Sequence, residues 1–71
     1  MNYRIDIIWD DEALVWVATS EDVPGLVLES GSVDGLIERV KIAAPKLLEL
    51  NHKNKDGVLD FHISRSERIP A

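Results

Sequence analysis

Only one stretch of this chain has the periodicity of a helix, and that limits what the rest can build. Val33, Leu36, Ile37, Val40, Ala43, Ala44, Leu47 and Leu48 recur at three- and four-residue spacing, which makes one apolar stripe on an amphipathic helix. Glu38, Arg39 and Lys46 lie off the stripe. Ser32 is a good N-cap, and Asp34 in the first turn complements the helix dipole. Gly35 and Pro45 oppose the helix. The glycine costs about 1 kcal/mol relative to Ala, and the proline removes a hydrogen bond. The expectation is a helix over 33–50, bent near Ala44.

Strand patterns account for most of the remainder. Tyr3, Ile5, Ile7 and Trp9 alternate with Arg4 and Asp6, the period of a strand with one buried face. Asp10-Asp11-Glu12 reads as an acidic turn, and Leu14 to Thr19 as a second strand, apolar on both sides. Together they predict a β-hairpin. A turn centred on Asp11-Glu12 sets Trp9 opposite Leu14 and Ile7 opposite Trp16. A loop one residue different sets Trp9 opposite Val15 and flips the faces. Glu21 to Gly25 carries Pro-Gly turn chemistry, Leu26 to Glu29 a short third strand, and Asn51 to Gly57 a polar connector. Val58 to Ile63 is the last strand, with Leu59, Phe61 and Ile63 on one side. Residues 65–71 are expected to be a frayed tail on a single domain spanning 1–71, ordered over about 3–64.

The order is β-β-β-α-β, an α+β fold. Three antiparallel strands and a right-handed helical crossover give a four-stranded mixed sheet of order 3-2-1-4. One helix covers one face. The other face is then expected to display Ile8, Val15, Val17, Val27 and Val58, an apolar patch of the kind that marks a contact site. With 71 residues and no cysteine, neither a disulfide nor a cysteine-zinc site can reinforce so small a core. Self-association is the reinforcement left, and the five residues are the candidate oligomer interface.

The charge balance, 8 basic against 13 acidic residues for a net −5, repels phosphate and suits a basic protein partner better than nucleic acid. No apolar run approaches a membrane span and no signal-peptide pattern opens the chain, so a cytoplasmic protein is expected. Asp10, Asp11, Glu12, Glu21 and Asp22 are candidates for a negative rim that steers such a partner. Turns made soluble by charge would look the same. Trp16 reads as core, whereas Trp9 reads equally as core or as an interface anchor.

Catalytic chemistry has no positive support. Asp6, Asp10 and Glu29 are the only acids on strands that could converge, and His52 and His62 stand at no ligand spacing. No Gly-rich phosphate loop is present. No metal and no cofactor are expected. A minimal ribonuclease would require a carboxylate cluster holding Mg²⁺.

Tyr3-Arg4-Ile5, Val15-Trp16-Val17-Ala18 and Asp22-Val23-Pro24-Gly25-Leu26 together resemble HicB-type antitoxins, in which a strand hairpin leads to a Pro-Asp-x-Pro-Gly turn, a Thr- or Ser-started helix and a final strand. Glu21 stands where that turn has its first Pro, and Ser32-Val33-Asp34-Gly35-Leu36 replaces a Thr-x-Glu-Glu-Ala helix start. A small, uncharacterised HicB-related branch is closer still. Its pattern is followed by Trp9-Asp10, Glu12-Ala13, Val15-Trp16, Ala18-Thr19-Ser20 and Pro24-Gly25-Leu26. The likeness covers residues 3 to about 64.

The resemblance implies a partial ribonuclease-H-like fold without nuclease carboxylates. It further implies a non-enzymatic role, capping a small basic toxin of double-stranded-RNA-binding fold that cleaves messenger RNA. Such antitoxins commonly add a helix-turn-helix or ribbon-helix-helix module. With Ala71 as the last residue neither is expected here, nor is operator binding. The leading expectation is an antitoxin-like, self-associating binding module. The alternative is an orphan self-associating domain, with or without a small ligand in a sheet cleft.

Overall fold

The alternation from Tyr3 to Trp9 becomes β1 (Asn2–Asp10) in the computed structural model, which describes residues 1–71. It is followed by β2 (Val15–Thr19), β3 (Val27–Ser30), α1 (Val33–Leu50) and β4 (Val58–Ser64). The fold is α+β. The sheet order is β3-β2-β1-β4, antiparallel from β3 to β1 and parallel between β1 and β4.

Helix α1 has the expected bounds and runs without interruption through Pro45. Ser32 caps its start, its Oγ accepting from the Gly35 amide at 3.1 Å. The helix ends in a Schellman arrangement. The Lys53 amide donates to the Leu48 carbonyl at 2.8 Å, the His52 amide to that of Glu49 at 3.1 Å, and His52 takes φ 56°. This αL position at the helix end is one that glycine usually fills.

The apolar stripe of α1 buries Leu36, Val40, Ala44 and Leu48 against Tyr3, Ile5, Ile7 and Ala18. Val23 and Leu26, from the Pro-Gly turn, close the same core. In that turn Gly25 has φ +84°, a conformation open to glycine and costly to other residues. Ser20 and Asp22 tie the turn to β1. The Ser20 hydroxyl donates to the Arg4 carbonyl at 2.5 Å, and the Arg4 amide donates to Asp22 Oδ2 at 2.7 Å.

The hairpin follows neither expected register. Trp9 lies opposite Trp16, Ile7 opposite Ala18 and Asp10 opposite Val15, which leaves a four-residue loop, Asp11 to Leu14. Asp10 Oδ1 accepts from the amides of Glu12 and Ala13, at 3.0 and 3.1 Å. The Leu14 amide returns to the Asp10 carbonyl at 2.8 Å, and Leu14 takes φ 57°. The longer loop moves the pairing past both expectations but keeps the two tryptophans on one face.

Candidate interaction surfaces

Cross-strand partners share a face, so the register sorts every strand residue. On the helix side stand Tyr3, Ile5, Ile7 and Trp9, then Trp16, Ala18 and Leu28, then Leu59, Phe61 and Ile63. The helix-free side carries Ile8, Val15, Val17, Val27 and Val58 among Arg4, Asp6, Asp10, Glu29, Asp60 and His62.

These five apolar residues do not form one patch. Ile8 is opposite Val17, with Val15 one step along β2 on the same face, and Ile8 is 53% exposed. Val27 stands opposite Thr19, diagonal to Val17. Val58 pairs with Asn2, six residues down β1 from Ile8, or roughly 20 Å at strand rise. Between them lie the ion pair Arg4 Nε–Asp6 Oδ1, at 2.9 Å, and the pair His62 Nε2–Asp60 Oδ2, at 3.1 Å. The apolar part of the open face is thus Ile8, Val15 and Val17, with Val27 at its margin.

Nor do the five acids form one rim. Asp10, Asp11 and Glu12 lie at the hairpin tip, the far end of β1 from Arg4. Asp22 is bonded to Arg4, and Glu21 precedes it. Sequence proximity misled here because β2 runs back along β1 and delivers the second acidic pair to its opposite end. Asp10 spends its carboxylate on the turn, while Asp11 Oδ1 accepts from Trp9 Nε1 at 3.3 Å.

The tryptophans sit at the tip end of the helix side. Trp16 packs against the core, and Trp9 is half-buried beside it. Their rings meet edge to face, with centroids 5.3 Å apart. The Arg65 guanidinium covers Trp9 at 4.3 Å from its centroid and Trp16 at 5.9 Å. Residues 65–71 take no regular secondary structure, yet Arg65 is docked. Strand parity would have found it, because 59, 61, 63 and 65 share the side of Trp9.

Asp6, Asp10 and Glu29 share the open face but flank Ile8 and Val17 instead of converging. No three His, Asp or Glu side chains come together as a group able to hold a metal ion. No helix is long and apolar enough to cross a membrane.

No curated protein matches this chain. A solved structure does: the crystal structure of a hypothetical protein from the extremely thermophilic bacterium Thermus thermophilus superposes with a TM-score of 0.77. The two are 30% identical, and the match covers 100% of each chain. At the level of families, residues 2–70 match the model described as a domain of unknown function, DUF1902. With nearly its whole length matched, the chain belongs to the DUF1902 family.

Proposed function

We propose that this protein is a non-enzymatic binding module that sequesters a small basic protein, in the manner of a HicB-type antitoxin. One observation carries the reading. The apolar cluster of exposed Ile8 and half-buried Val15 and Val17 ends at Asp10 and runs into the acidic tip of Asp11 and Glu12. An apolar centre beside a charged rim is the usual anatomy of a protein-docking face. The sign of the rim, with the net charge of −5, favours a cationic partner and speeds its approach.

The likeness of the hairpin, tryptophans and Pro-Gly turn to the small HicB-related branch supports the same reading. It suggests an RNA-cleaving toxin of double-stranded-RNA-binding fold as the partner. Asp11 and Glu12, with Ile8 and Val17, are the residues that would meet it. Glu21 and Asp22 lie at the other end of the sheet and have no part in this contact. Trp9, under Arg65, supports the tip from behind.

The experiment is co-expression with the product of an adjacent short basic reading frame. Copurification of the two, lost in Val17→Arg and weakened by Asp11→Lys, is the expected result. If no such frame exists, or if the pair elutes separately at low salt, the antitoxin reading fails.

A further inference from the structure

The two edges of the sheet are unequal. β3 is four residues long, and its Glu29 carbonyl already accepts from Arg39 Nη1 at 2.7 Å. β4 has seven residues, with no proline, lysine or bulge to blunt it, and such an edge is a template for pairing. Its backbone polarity follows from one bond, the Val58 amide donating to the Met1 carbonyl at 2.9 Å. Val58, Asp60, His62 and Ser64 therefore turn their N–H and C=O groups to β1. Leu59, Phe61 and Ile63 turn theirs to the free edge.

We propose that a second copy of this chain pairs along that edge, antiparallel, with Phe61 opposite Phe61. This register aligns β4 over its full length, Val58 with Ser64 at both ends. It joins all three outward-facing residues of each copy in six backbone hydrogen bonds. On the helix side it sets Phe61 against Phe61 and Leu59 against Ile63, aromatic and aliphatic pairs of the stabilising kind. The pairing completes their cover, because α1 packs chiefly over β3 and β2 and leaves Leu59 and Phe61 half-buried and Ile63 49% exposed.

On the other face the same register sets Asp60 against the second copy's His62, twice by symmetry. These are non-hydrogen-bonded pairs, in which opposed side chains approach most closely. Because Arg4 flanks Asp60 and Asp6 flanks His62, each row across the joint reads Arg4, Asp60, His62, Asp6. Every carboxylate then neighbours a base. Sliding the pairing by one step of each strand sets Asp60 on Asp60 or His62 on His62. The first slide opposes two carboxylates and both forfeit the Asp60–His62 pairs, so the side chains select the register that backbone length already favours. The joint uses the edge of β4, not the Ile8 face, so it stands or falls independently of a basic partner.

The test is the mass and dissociation constant of the purified full chain by analytical ultracentrifugation. The wild type is expected at twice 8.0 kDa. His62→Asp raises the dissociation constant about tenfold, since two attractive pairs become repulsive. His62→Lys leaves it unchanged or lowers it. Ile63→Pro removes an outward donor and yields a monomer with unaltered far-ultraviolet circular dichroism. If that variant unfolds, the exposed His62 pair of variants decides alone. A monomeric wild type overturns the proposal. So does loosening by both Asp and Lys at 62, which indicates His62 on His62, or indifference to either change.

Discussion

Trp9 and Trp16 stand directly opposite one another on β1 and β2, ring centroids 5.3 Å apart at 62°, with Arg65 over the Trp9 face at 4.3 Å. Edge-to-face pairs contribute about 0.5–1.5 kcal/mol beyond their buried area, and an exposed cation over a ring about 0.5–1 kcal/mol. Trp9→Ala is therefore expected to lower stability by more than 1 kcal/mol, on the order of the pair and the cation contact together. Arg65→Ala removes the second part together with the exposed Arg65–Glu67 ion pair, which adds little. Urea unfolding measures both, and near-ultraviolet circular dichroism shows whether the coupled indole signal survives. An Arg65→Ala loss as large as that of Trp9→Ala contradicts this division.

The end of α1 carries a conformational cost that one substitution relieves. His52 occupies the αL position of the Schellman turn at φ 56°, where a side chain costs roughly 1–2 kcal/mol and glycine almost nothing. Its imidazole is exposed, so little is lost with it. His52→Gly is expected to stabilise by about 1 kcal/mol. At this size that raises the melting temperature by about 4–8 °C. A lower melting temperature would mean that the imidazole makes a contact in solution that outweighs the backbone relief.

Gly57 presents the opposite case. A Cβ there would stand 2.5 Å from Tyr3 Cε2 and 2.7 Å from the Met1 carbonyl. The ring cannot easily yield, because Tyr3 is 4% exposed and its hydroxyl donates to the Asn54 carbonyl. Gly57→Ala is expected to cost about 1–3 kcal/mol through overpacking and to loosen the start of β4, where the Val58 amide donates to the Met1 carbonyl. The urea midpoint reports the loss. Amide exchange at Val58 localises it, and an unchanged midpoint would show that Tyr3 moves aside freely.

The element order, the bounds of α1, the sheet order and the two faces were legible because each rests on a repeating period that many residues share. The hairpin register was not. It depends on Asp10 bracing two amides and on Leu14 taking a left-handed turn, and leucine gives no hint of that conformation. The open face was legible in parity but not in extent, since placing Val58 near Ile8 requires the parallel register of β4. Arg65 was missed for a related reason: it follows the last strand and reads as tail, yet it continues the parity of Phe61 and Ile63.

Leu14 joins stability to the proposed docking surface. It is 64% exposed at φ 57°, a conformation that is a genuine outlier for a bulky side chain. Leu14→Gly removes the backbone penalty and little buried surface, so it is expected to stabilise by about 1 kcal/mol. Leu14 also crowns the acidic tip beside Val15, where a basic partner would dock. The same substitution is therefore expected to weaken capture of that partner while raising the melting temperature, the opposition usual when a strained residue serves binding. Thermal melts and binding isotherms of one variant separate the two effects. Stabilisation without loss of affinity would remove Leu14 from the docking surface and leave the strain a consequence of loop length alone.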